Sequence, residues 1–147
     1  MQYLTYRGTV YPWQCDHMGH MNVMWYTGKF DEAGWQFFGS LGLTPAWLNE
    51  AGRGMAAVEQ STQYRRELHA GDLVSIHSKL IEVKHKVLRI RHEMRRGDRA
   101  DNVVAVSTLT AVFMDASARK AIAFPPAMAD GWCEAAGLPL PDHTEAV

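Results

Sequence analysis

WQCDHMGHMNVMWYTGKFDEAGWQFFGSL, residues 13–41, decides how this chain folds. It opens as the end of a strand, crowds Asp16, His17, His20 and Asn22 around Gly19, and then becomes a long apolar helix. Asn22 is suited to cap that helix. Tyr26, Phe30, Ala33, Phe37 and Leu41 recur at three- and four-residue spacing, the core stripe of an amphipathic helix, with Lys29, Asp31, Glu32 and Gln36 largely off it. Gly28 and Gly34 are either surface glycines or points where the helix approaches a sheet or ligand. Ionisable residues set directly against a segment that must be buried mark the place to look for chemistry.

Outward from this stretch, residues 3–13 alternate as a strand rich in β-formers, with Pro12 marking its end, an edge or a bulge. On the other side Gly42 stops the helix, and Thr44-Pro45 caps a short helix over residues 46–51. From Met55 the pattern changes to period two. Strands are expected from Met55 to the His69-Ala70-Gly71-Asp72 turn, through Val74, Ile76, Ser78 and Leu80, and through Leu88, Ile90, His92 and Met94. Residues 103–114 form a nearly continuous apolar strand, read as the central one. A short segment over residues 119–124 and a C-terminal helix over residues 127–136 follow. One long helix must therefore cover one face of an antiparallel sheet, an α+β arrangement. Such a sheet leaves an edge open, so at least a dimer is expected, with sheets paired edge to edge.

The chain of 147 residues is expected to be one domain, 1–147, with a core of about 3–124 and a C-terminal helix and tail at 127–147. Hydrophobic residues make up 47% and charged residues 21%, which supports a real core. A net charge of -1 gives no general argument for nucleic acid or an anionic membrane. The N-terminus lacks a basic region followed by an apolar run, and no segment has the apolar length of a bilayer span. The two cysteines, Cys15 and Cys133, read as reduced thiols with no zinc framework. A cytoplasmic protein is expected.

Asp16 precedes a helix N-terminus, where backbone N–H groups and the dipole favour an ionised carboxylate and a developing oxyanion. The alternative is an Asx turn, with the carboxylate merely bonding loop amides. His17 and His20 lie in a glycine-containing loop with no distant partner cluster, which argues against a metal. One histidine is expected in a cleft and the other in solvent or against a second subunit. Cys15, pointing away from Asp16, is read as packing. Glu59 faces a cleft or solvent. Residues Lys84, His85 and Lys86 form a basic hairpin tip, a solubilising feature or a phosphate contact, and Arg65-Arg66 adds to the same patch or forms surface pairs. Trp13 and Trp25 flank the loop, where ring faces can hold a cation. No nucleophile elbow, P-loop or dinucleotide fingerprint is present.

The run Asp16-His17-Met18-Gly19-His20-Met21-Asn22, followed by Trp25-Tyr26-Thr27-Gly28-Lys29-Phe30, resembles the hot-dog-fold acyl-CoA thioesterases of the 4-hydroxybenzoyl-CoA thioesterase type. Tyr64-Arg65-Arg66-Glu67-Leu68 and Gly71-Asp72 resemble the end of that family's second strand, and the likeness covers about residues 3–115. Two departures are Val23 after Asn22, where the family often has a second Asn, and Glu67, where many members have Pro.

The resemblance implies a hot-dog fold, a curved antiparallel sheet wrapped around one long helix, assembled as a homodimer or homotetramer with sites between subunits. It implies an acyl-CoA thioesterase that needs no cofactor beyond the coenzyme A of its substrate. Asp16 would be nucleophile or general base, and the Val23 backbone N–H an oxyanion donor. His20 and Asn22 would support the site, and Trp13, Trp25, Tyr26 and Glu59 would contact the acyl group. Arg65, Lys84, His85 and Lys86 would contact coenzyme A. A subcase is a small cationic, betainyl-like acyl group held by Trp13 and Trp25. The alternatives are a non-catalytic acyl-CoA or acyl-carrier binding module on the same fold, and a hydratase.

Overall fold

The computed structural model describes residues 2–144. Residue 1 and residues 145–147, the ends of the expected domain and tail, lie outside the described residues. The chain runs β1 (Tyr3–Thr9), α1 (Val23–Ser40), α2 (Pro45–Ala51), β2 (Arg53–Tyr64), β3 (Leu73–Val83), β4 (Val87–Arg96), β5 (Val103–Asp115), β6 (Lys120–Ala121) and α3 (Pro126–Ala136). The strands form one antiparallel sheet in the order β1-β3-β4-β5-β2, with β6 added to the end of β5. The sheet curls around α1, as the α+β reading requires.

Helix α1 begins where Asn22 accepts the Met24 N–H through its side chain, a cap of about 1 kcal/mol. Its stripe of Tyr26, Phe30, Ala33 and Phe37 is buried, while Leu41, at the C-cap, is half-buried. Tyr26, Phe30 and Ala33 share one apolar cluster with Ile76 and Met94. Phe37 and Phe38 share another with Ile90 and Phe113. Burying a side chain such as Phe37 contributes roughly 2–3 kcal/mol. Thr44 caps α2, and Gly52 ends it in the left-handed region.

Three details depart from the sequence reading. The first strand stops at Thr9, because Pro12–Gln14 winds into a 3-10 turn. The middle strand is β4, not β5. Arg89, Arg91, Glu93 and Arg95 on its wet outer face make β4 look peripheral in the sequence. Lys29, expected off the core stripe, is 3% exposed. Its ammonium donates to Tyr6 Oη at 2.8 Å and lies 5.1 Å from the centre of that ring. Tyr6 in turn folds over Gly8, where a Cβ would stand 2.3 Å from the phenol oxygen. The lysine is thus drawn inward by a hydroxyl and a ring face supplied from another element.

A polar row crosses the core beneath Gly34. Thr5 Oγ1 donates to the Ile76 carbonyl (3.1 Å) and lies 2.8 Å from Ser78 Oγ, which meets His92 Nδ1 at 2.5 Å. Each hydroxyl has one proton. With the Thr5 proton spent on Ile76, Ser78 donates to Thr5, and His92 Nδ1 donates to Ser78. A Cβ on Gly34 would lie 3.8 Å from His92 Nε2, ordinary van der Waals contact, so this glycine faces the sheet without being required by its approach. Around Gly28 there is open space. Burial pushes the His92 imidazole down to about 4. No helix among the described residues is long and apolar enough to cross a membrane.

Candidate active site

The loop before α1 is closed by its own backbone. Cys15 pairs with Met21 as a bridge, the Asp16 N–H donates to the His20 carbonyl (3.1 Å), and the Gly19 N–H donates to the Asp16 carbonyl (3.0 Å). Gly19 makes the turn at φ +88°, a conformation that favours glycine. The Met21 N–H then donates to the Leu68 carbonyl at 2.7 Å, strapping the loop to the segment after β2.

This closure turns Asp16 toward the helix start. Its Oδ2 accepts from Asn22 Nδ2 (3.1 Å) and its Oδ1 from the Met18 N–H (2.9 Å). The Asn22 hydrogen bond first, and the Met18 N–H next, hold the Asp16 carboxyl below its ordinary value, against a smaller opposing effect of burial. The Asx-turn reading and the ionised-acid reading are therefore both present in one side chain. Asn22 Oδ1 takes the Met24 N–H, and the Asn22 carbonyl takes the Trp25 N–H. The Val23 N–H is left without an acceptor among the described residues.

Val23 lines a groove of about 360 Å³ together with His20, Met21, Tyr26, Tyr64, Arg65, Arg66 and Glu67. Asp16 stands beside this groove, joined to it through Asn22 and the His20 carbonyl. Tyr26 is buried, donates its hydroxyl to the Arg66 carbonyl (3.3 Å) and meets the Tyr64 ring edge-on at 5.1 Å. Burial, then the Glu67 charge, pushes its phenol up, so it stays protonated. His20 Nε2 lies 3.3 Å from Glu67 Oε2. His17 is exposed at the turn, which answers which histidine faces the groove.

Other expected site residues are not gathered here. Trp13 is 68% exposed and stacks flat on Tyr11 at 4.6 Å, and Trp25 packs half-buried against the cluster holding Met21 and Phe30. Neither lines the groove. Glu59 is exposed on β2, five residues and roughly 17 Å from Tyr64 along the strand. Lys84, His85 and Lys86 join β3 to β4 at the end of the sheet away from Asp16, roughly 35 Å along β3 from Leu73. Their backbone is stitched to the core: His85 O accepts the Phe124 N–H, and Lys86 O the Phe113 N–H. Arg65 and Arg66 therefore share no patch with residues 84–86 within one chain. The spacing of strands in the sequence carries no signal for which hairpin ends lie together.

Tyr64 and Glu67 are groove residues to which residue-by-residue reading assigned no role at the site, and Arg66 was read only as part of a basic patch or a surface pair. Contacts between distant segments reveal them: the Met21–Leu68 strap, the Tyr26–Arg66 hydrogen bond and the Tyr26–Tyr64 ring contact.

A curled antiparallel sheet around one helix, with an acid at the helix start, defines a hot-dog protein. The model of the thioesterase-like superfamily matches residues 10–131, and the chain belongs to that family; it is a thioester hydrolase. Among solved structures, a Staphylococcus aureus protein in complex with CoA superimposes with a TM-score of 0.81 at 20% identity, over 91% of this chain and 86% of that one. A 1,4-dihydroxy-2-naphthoyl-CoA thioesterase from Synechocystis gives 0.76 at 16% identity, over 91% and 97%. The probable thioesterase YbaW from Escherichia coli gives 0.70 at 25% identity, over 84% and 89%. A search of curated proteins finds no significant match.

Proposed function

We propose that this hydrolase cleaves acyl-CoA thioesters to a carboxylic acid and free coenzyme A. The observation that carries the reading is the ionised Asp16 carboxylate, locked by Asn22, beside a free Val23 N–H at the head of a groove. A thioester carbonyl placed on Val23 gains a hydrogen-bond donor and the positive end of α1 as its oxygen becomes an oxyanion. Asp16 either attacks the carbonyl carbon, expelling the thiolate and forming an anhydride that water opens, or takes a proton from the attacking water. A structural relative that binds CoA and another that hydrolyses a naphthoyl-CoA support the choice of substrate.

Arg65 and Arg66 at the groove suit the phosphates of coenzyme A. Residues 84–86 contribute only if a second copy brings them. Strand β2 supports that assembly: it is an edge strand of twelve residues in which only Arg53 and Glu59 are charged, with Val58 59% exposed. Antiparallel pairing of two β2 edges reverses the second sheet, so its β3–β4 hairpin lies at the end where the first copy holds Asp16.

The cationic subcase for the acyl group rests on the one free ring face of Trp13, which stands outside the groove with Tyr11 on its other face. Thiol release from betainyl-, acetyl-, aromatic and long-chain CoA esters tests both levels. Turnover of any ester supports the thioesterase, and binding without turnover favours the acyl-CoA binding module. Preference for long chains refutes the cationic subcase.

A further inference from the structure

The segment between β2 and β3 presents a carboxylate to the groove. Three hydrogen bonds fasten residues 66–68 in place: Tyr26 Oη to the Arg66 carbonyl (3.3 Å), Arg96 Nη2 to the Glu67 carbonyl (2.6 Å), and the Met21 N–H to the Leu68 carbonyl (2.7 Å). They set Glu67 Oε2 at 3.3 Å from Nε2 of His20. His20 lines the groove, and its carbonyl holds the Asp16 N–H. Its ring also meets His69 edge-on at 5.9 Å. Behind His69 stand Asp72 (3.9 Å) and Arg96, itself 3.5 Å from Asp72. The imidazole is thus flanked by two side chains of the segment between β2 and β3, the Glu67 carboxylate, which is 64% exposed, and the His69 ring.

A carboxylate facing Nε2 favours the tautomer with its proton there, which leaves Nδ1 with a lone pair. We propose that Glu67 is a positioning residue that holds His20 as the proton acceptor for the hydrolytic water. This rests on the thioesterase reading and gives Asp16 the nucleophile's part. In the anhydride left after the thiolate departs, the water oxygen bonds to the acyl carbon and its proton passes to Nδ1. The bond from that carbon to the Asp16 oxygen breaks, Asp16 returns to its carboxylate, and the imidazolium gives its proton to the free thiolate or to solvent.

Steady-state kinetics of Glu67→Ala, Glu67→Gln, His20→Ala and the Glu67→Ala/His20→Ala pair test it on the preferred acyl-CoA. Glu67→Ala is expected to lower kcat about tenfold with KM unchanged, the scale of a modest misplacement. Glu67→Gln keeps an oxygen acceptor and is expected within about threefold of wild type. In the His20→Ala background the Glu67 change is expected to add nothing, since coupled residues are not additive. Nitrogen NMR of the His20 ring is expected to report the Nε2–H tautomer in wild type and a mixture in Glu67→Ala. An unchanged kcat, a loss confined to KM, additivity in the double variant, or an unchanged tautomer overturns the proposal while leaving the thioesterase intact. A wild type that releases no thiol from any ester overturns both.

Discussion

Asn22 binds Asp16 with one end of its side chain and the first turn of α1 with the other. Its Nδ2 donates to Asp16 Oδ2 at 3.1 Å, and its Oδ1 accepts the Met24 N–H at 3.0 Å. One amide therefore caps the helix, keeps the acid ionised and fixes where that acid sits relative to the free Val23 N–H.

If Asp16 carries the chemistry, Asp16→Asn keeps the fold and loses at least ~100-fold in kcat, the scale of losing general-base catalysis. The asparagine still accepts the Met18 N–H, so the loop is expected to close as before. Thiol-release assays beside a thermal melt check this; an unaltered kcat removes Asp16 from the mechanism.

Removing the shared amide has two separable effects. Asn22→Ala costs about 1 kcal/mol of stability through the lost cap. It also removes the largest cause holding the Asp16 carboxyl low. Activity that needs ionised Asp16 is present above its lowered value and is lost as pH falls through it. In Asn22→Ala that loss begins at a higher pH. A kcat/KM profile on the acid side measures the displacement, and coincident profiles refute the link.

His92 makes stability, rather than activity, depend on pH in the mildly acid range. The unfolded chain protonates this histidine below 6.5, but the folded protein only below about 4. Between those values the unfolded state binds more protons, so stability falls as pH falls from 6.5 toward 4. The full loss is up to about 3 kcal/mol at ~1.4 kcal/mol per unit. Urea melts at pH 7 and pH 5 are expected to show part of it. His92→Leu, which leaves Ser78 its bond to Thr5, is expected to flatten that dependence.

The β2 edge predicts an assembly. Wild type is expected to sediment as a dimer or larger. Val58→Lys, which places a charge on an exposed edge strand, is expected to shift it toward monomer without unfolding it. A monomeric wild type, or an unmoved variant, excludes pairing through this edge.

Some of this was written in the order of residues. The Asn22 cap, the buried stripe on α1, the Gly19 turn and the placing of Asp16 beside a helix start all depend on near neighbours. Helix and strand periods are local properties of the chain, so a sequence displays them. The α+β architecture followed, because one long helix and consecutive strands leave few ways to bury their apolar faces.

The rest depended on which distant segments the curled sheet brings together. Lys29 looked like surface until Tyr6, on another element, offered it a hydroxyl and a ring. Glu67 reached His20 because Leu68 accepts the Met21 N–H, and residues 84–86 were removed from Asp16 because β3 runs away from it. Hydrogen bonds and ion pairs act over a few ångströms of space whatever the separation along the chain. Sequence alone therefore determined the place of Asp16 beside the helix start and the fold class, and tertiary structure decided which distant side chains line the groove next to it.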